Sequence, residues 1–155
     1  MLYGCLDWGS GHVARSIPMM RQLVHQGNKL VVRCTKEQQH IFETYGIPAV
    51  YIPANAFAFR FKGDGNFTRE MLRNAFRFRK AVNTERRETR QLVAKHRIDL
   101  VVSDHRYGLL DATVPSVFVT HQVHLPPGSG FFAQQIHRKW MNRFSVCWIM
   151  DDEQH

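Results

Sequence analysis

The chain has few of the features that would set it apart from ordinary globular proteins. Cysteine is sparse: Cys5, Cys34 and Cys147 are three among 155 residues, an odd number with no CxxC or metal-ligand spacing. That argues against a disulfide framework and makes the cytoplasm the expected compartment. All three fall in or beside apolar strand-like runs, so three buried thiols are expected. No apolar run approaches the roughly 18 to 20 residues that a membrane-spanning helix requires. The opening stretch, Met1-Leu2-Tyr3-Gly4-Cys5-Leu6, is too short for a signal peptide and has no basic leader before it. Internal repeats and low-complexity tracts are missing as well. Acidic residues are in deficit, 13 against 21 Lys and Arg, which leaves a formal charge of +8 with histidine neutral. Such an excess points to an anionic partner, whether phosphate groups, an acidic membrane face or nucleic acid, without choosing between them.

What is present suits one soluble domain spanning residues 1–155. Hydrophobic residues make up 44% of the chain and aromatic residues 12%, too many for a disordered segment, and the length supports a single core. Strand-like runs at Leu2–Leu6, Lys29–Cys34, Ala49–Ile52, Asp99–Ser103, Pro115–Val119 and Ser145–Met150 are separated by helix-like stretches. The first of these helices runs from His12 to His25, with Val13, Ile17, Met20 and Leu23 at helical spacing and Gly27 after its end. Thr35 is placed as an N-cap with Gln38 at the capping-box position, for a helix that closes on Gly46. The others are Phe67–His96 and about Phe131–Arg143. This alternation predicts an α/β, Rossmann-like three-layer domain: a parallel, about six-stranded sheet with helices on both faces. Ligands bind such sheets outside the carboxyl ends of the strands, where the strand order reverses. The loops after Leu6, Ser103 and Val119 would meet there.

Two segments break the rhythm. Asn55–Asn66 holds Phe57, Phe59, Phe61 and the turn Gly63-Asp64-Gly65, which suits a long loop. The helix after it carries Arg69, Arg73, Arg77 and Lys80 as one positive stripe, extended by Arg79, Arg86, Arg87 and Arg90 and offset by Glu70, Glu85 and Glu88. Phe67, Met71, Leu72, Phe76 and Phe78 are expected to form its apolar side. Such a helix suits an anionic membrane surface. It also suits a plain solvated face over a core-packing helix. Nucleic acid is the weaker choice, because no recognised binding motif is present. The charged tail Asp151–His155 is expected to mark a boundary where another domain begins.

Chemistry concentrates at the predicted carboxyl edge. Gly9-Ser10-Gly11 lets the backbone turn tightly and approach a ligand, and the following helix aims free N–H groups at the same place. It is not the dinucleotide fingerprint, since Ala14 stands at the third glycine position, and it lacks the Lys-Ser/Thr of a P-loop. His12 is placed to accept a proton from a bound hydroxyl, or to serve as a solvated or capping residue. Arg15, three residues on, could serve an anion or lie on the surface. Asp104 follows the fourth strand and could orient His12, as the carboxylate does in hydrolase triads, or cap the next turn. Arg106 and Tyr107, and Thr120-His121-Gln122 with His124 nearby, add polar groups that could contact substrate. The histidines show no convincing zinc spacing, so no metal is expected.

These residues resemble a known group. Asp7-Trp8-Gly9-Ser10-Gly11-His12-Val13-Ala14-Arg15, Ser103-Asp104-His105-Arg106-Tyr107-Gly108 and Thr120-His121-Gln122 stand in the order of the DWGxGHxxR, SDxRYG and THQ segments of a bacterial family of GT-B glycosyltransferases. More distantly the chain is similar to the peptidoglycan lipid-intermediate N-acetylglucosaminyltransferases, the galactolipid synthases and a nucleotide-sugar hydrolase. The resemblance implies an N-terminal, acceptor-side domain of an inverting, metal-independent transferase. His12 then binds or deprotonates the acceptor, Asp104 partners it, and Gly9 and Gly11 lie near the donor phosphates. The acceptor could be lipid-linked. A nucleotide-sugar donor is a substrate rather than a cofactor, and it would be held mostly by a C-terminal domain that this chain does not contain. The alternatives are a hydrolase or epimerase on the same scaffold, and a non-catalytic module that binds membrane or nucleic acid.

Overall fold

The computed structural model describes the backbone of residues 1–7, 10–55, 67–121 and 131–150, and the side chains of these apart from 67–73, 132 and 133. Leu30-Val31-Val32-Arg33-Cys34 is buried at every residue, as a strand can be only when both faces of its sheet are covered. It is β2 (Leu30–Cys34) of a sheet that also holds β1 (Leu2–Cys5), β3 (Ala49–Pro53), β4 (Val101–Asp104), β5 (Ser116–Thr120) and β6 (Val146–Ile149). The order is β3-β2-β1-β4-β5-β6, with every neighbouring pair parallel. The helices are α1 (Ser10–His25), α2 (Lys36–Thr44), α3 (Phe67–His96) and α4 (Phe131–Met141). The expected Rossmann-like α/β architecture is therefore present, and its strand order reverses between β1 and β4.

Side-chain alternation assigns the faces. Tyr3, Leu30, Val32, Val102 and Val119 pack against Val13, Ile17 and Met20 of α1 and Phe42 of α2. On the other face Leu2, Val31 and Val101 meet Val93 of α3 and Leu109, while Phe118 meets Met141 and Phe144 at the end of α4. Each such side chain contributes about 1.5–3 kcal/mol by leaving water. Thr35 Oγ1 accepts from Gln38 N at 3.3 Å and Gln38 Oε1 accepts from Thr35 N at 3.1 Å, so the capping box is made. Gln38 Nε2 also donates to Leu6 O at 3.3 Å, which fastens the first turn of α2 to the end of β1. Gly46, at φ +68°, ends that helix in a conformation costly to other residues.

Cys147 and Phe76 depart from the sequence reading, whereas residues 105–115 join β4 to β5 by turns alone, as the four helix-like stretches leave it. That linker supplies its own interior layer, with Arg106, Leu109 and Leu110 all buried. Cys147 is exposed, whereas Cys5 and Cys34 are buried. It lies on β6, an edge strand exposed at all four residues, and an edge strand has a neighbour on one side only. Phe76 is 80% exposed rather than part of an apolar helix side.

Glu85 is buried as well, not a surface offset to the arginines. Its Oε1 accepts from Arg33 Nη1 at 2.9 Å and from Arg106 Nε at 2.5 Å, and its Oε2 accepts from Gly108 N at 3.2 Å. Glu88 closes the group on Arg33. Gly108 must be glycine here, because a Cβ would sit 2.5 Å from Val82 O and 2.7 Å from Glu85 Cβ. Glu85→Ala would leave Arg33 and Arg106 with no shared buried carboxylate. It is expected to cost about 3–5 kcal/mol of stability in urea denaturation; a loss under about 1 kcal/mol would show that this group of charges does not hold the fold.

Candidate functional site

Topology brings the ends of β1, β4 and β5 to one place, and α1 starts there. His12 lies in the first turn of α1 and Asp104 is the last residue of β4. Along β4, Asp104 shares a side with Val102, which faces α1. His12 Nδ1 is 3.1 Å from Asp104 Oδ1. Arg15 Nε donates to Asp104 Oδ2 at 2.8 Å, and Arg15 Nη2 bonds Asp104 Oδ1 and also approaches His12 Nδ1. Arg15 Nη1 lies 2.6 Å from His121 Nδ1. A guanidinium can only donate, so this ring nitrogen of His121 is the acceptor and carries no proton. The expected pairing of His12 with Asp104 across 92 residues is thus geometrically present.

Asp104 has no exposed surface. Burial alone would push its carboxyl up, but the hydrogen bonds and charges of His12 and Arg15 outweigh that and hold it below the usual carboxylate range. The site therefore contains a carboxylate already neutralised by a guanidinium. His12 Nδ1 meets both the Asp104 carboxylate, which only accepts, and the Arg15 guanidinium, which only donates; in the tautomer that donates to Asp104, Nε2 is left to take a proton. His121 is held towards neutrality by burial and then by Arg15.

His105, named in the sequence only as part of the Ser103–Gly108 segment, completes the cluster. Its ring lies 5.2 Å from that of His12 and 5.1 Å from that of His121, and it is 2.8 Å from Thr120 Oγ1 through Nε2. Its backbone is left-handed, at φ +58°. This puts the ring back over the sheet edge beside Phe118, 5.6 Å between centroids. The signal available in the sequence was its position directly after a strand end, on the same edge as His12.

Other expected site residues divide. Ser10 and Gly11 open α1 and are exposed. Among the described residues nothing lies within 4 Å of a Cβ built at Gly11, so a methyl group there would meet none of them. Thr120 is buried behind His105 and positions that ring. Arg15 was expected to receive an anion; instead all three of its guanidinium nitrogens bond within the cluster. Arg106 and Tyr107 are corrections to the expected substrate contacts. Arg106 is 2% exposed and points to Glu85 and Cys5 O on the α3 face. Tyr107 donates to or accepts from His137 Nδ1 at 2.6 Å and stacks on Phe118; burial pushes its hydroxyl pKa up. Trp8, Gly9, Gln122 and His124 lie outside the described residues, as do the side chains of Arg69 and Arg73.

Among the described residues no three His, Cys, Asp or Glu side chains are grouped to hold a metal ion. A cavity of about 660 Å³ lies away from the cluster, at the ends of β2 and β3, lined by Arg33, Lys36, Asn55, Gln91 and Lys95 among others.

His105 carries a pH signature. Burial pushes its pKa down from 6.5 to about 3, with Asp104 opposing only in part. The unfolded chain binds more protons between those values, so this stabilisation is complete above the unfolded pKa and is lost as pH falls towards the folded one. A loss of about 2 kcal/mol is expected between about pH 7 and about pH 5. His105→Asn, which tolerates the left-handed backbone, should flatten that slope in denaturant titrations; an unchanged slope would assign it to another group. No protein-family model matches this chain, and no curated protein matches it.

Proposed function

We propose that the chain is the acceptor-side domain of an inverting, metal-independent glycosyltransferase that uses a nucleotide-sugar donor. One observation carries the reading. A histidine and a buried carboxylate, far apart in sequence, meet at the reversal of strand order, where the exposed residues Ser10 and Gly11 open α1. The motif order that resembles the GT-B family supports the same assignment.

The chemistry follows from the geometry. A hydroxyl of the acceptor lies against His12 Nε2, which removes its proton as the oxygen attacks the anomeric carbon of the donor. The bond from that carbon to the phosphate oxygen breaks, and the nucleoside diphosphate leaves with the electron pair. Attack from the opposite side inverts the configuration. The proton stays on His12, stabilised by Asp104, until solvent takes it. Arg15 keeps Asp104 ionised and oriented rather than holding the phosphate itself. In the GT-B arrangement that the motifs resemble, the donor is held chiefly by a second Rossmann-like domain.

The 155-residue chain alone is therefore expected to turn over no nucleotide sugar; robust turnover by it would sink the assignment. Joined to a donor-binding domain, it should transfer sugar to an added acceptor. His12→Ala should then lower kcat by about 10²–10⁴-fold, the usual worth of a general base. Gly11→Ala should leave stability within about 1 kcal/mol yet raise KM. Release of free sugar without acceptor, at the same rate as with it, would instead mark a hydrolase.

A further inference from the structure

The 30 residues of α3 extend about 45 Å, several times the span of the four- and five-residue strands it crosses. Among its described side chains, those of residues 74–96, the buried ones begin at Val82 and continue through Glu85, Thr89 and Val93. No residue between 74 and 81 is buried. The chain enters α3 after β3 and leaves it for β4. The helix therefore runs back along the sheet, and its first half lies towards the carboxyl edge, where His12 and Asp104 meet.

At 100° per residue, Phe76, Lys80, Asn83 and Arg87 point away from the buried stripe, and Arg77 flanks them. All are exposed, Phe76 at 80%. Arg79 is exposed too. The two acids of this stretch, Glu85 and Glu88, both bind Arg33. Among the described residues Arg77, Arg79, Lys80 and Arg87 have no ion pair. Four uncompensated cations around one protruding phenyl ring form a surface with two demands: anions in register with the cations, and an apolar layer to receive the ring. Bilayers of anionic lipid meet both. Single-stranded nucleic acid meets the first demand, and it meets the second only where a base stacks on the ring. Such docking would bring the acceptor edge of the sheet close to the lipid headgroups.

We infer that the outer face of α3 docks on anionic membrane surfaces, with Phe76 inserted among the acyl chains and Arg77, Arg79, Lys80 and Arg87 against the headgroups. The inference is independent of the transferase assignment, since it rests on a different face and is read without turnover.

Cosedimentation of the 155-residue chain with vesicles tests it. Vesicles of phosphatidylcholine with about 30% phosphatidylglycerol should bind the chain at about 0.1 M salt and release it at about 0.5 M. Vesicles of phosphatidylcholine alone should not bind it. Phe76→Ser should weaken binding about tenfold or more, and Arg77→Gln/Lys80→Gln/Arg87→Gln about a hundredfold, near fivefold per charge. Both variants alter exposed side chains, and their circular dichroism should match that of the parent. Failure to bind the anionic vesicles would overturn the inference. So would unchanged binding by either variant, or tighter binding of a single-stranded oligonucleotide that is lost on Phe76→Ser while vesicle binding persists.

Discussion

Two buried carboxylates, one on each side of the sheet, hold the molecule together where the strand order reverses. On the α1 side Asp104 draws in Arg15 and His12. On the α3 side Glu85 draws in Arg33, Arg106 and the amide of Gly108. The same short stretch, 104–108, is gripped from both sides. A buried carboxylate is costly unless nearly all its lone pairs are used, and here each has at least three donors around it. The turn after β4 therefore has little freedom, and the rings of His105 and His12 inherit that rigidity.

The arrangement separates two jobs that the sequence presents side by side. Asp104 and His105 join the histidine cluster at the carboxyl edge, whereas Arg106 and Gly108 bind Glu85 on the α3 side. A stretch whose residues all looked available for ligand is thus half site and half scaffold. The same division appears in α1, where His12 and Arg15 reach the cluster while Val13, Ile17 and Met20 fill the core. Preorganised catalytic groups need such anchoring, because their geometry must persist when substrate arrives.

Much of this was legible in the sequence, for identifiable reasons. Thr35, Gln38 and Gly46 punctuate α2 through local hydrogen bonds and backbone conformation, which depend on neighbours in the chain. The strands announced themselves by apolar runs, and the parallel order by their alternation with helices. The meeting of His12 with Asp104 followed from topology, since strand ends of a parallel sheet share an edge. What stayed hidden depended on partners that spacing does not specify. Arg15 is committed to Asp104 and His121; Arg106 turns inward to a helix whose Glu85 looked like a surface charge. Phe76 and Cys147 were misplaced for one reason. An apolar residue shows what it would bury, but only the packed neighbours decide whether anything covers it.

The unequal burial of the three cysteines gives the native state a chemical count. Cys5 and Cys34 are sealed, and burial pushes both thiols up to about 12, whereas Cys147 sits open on the edge strand. A thiolate-directed reagent therefore titrates one sulfur in the folded chain and three in the unfolded one, since reactivity follows exposure and thiolate fraction. The stoichiometry of alkylation is a built-in reporter of folding, and the single early-reacting position offers a handle on β6, distant in the sheet from β3 and separate from the histidine cluster.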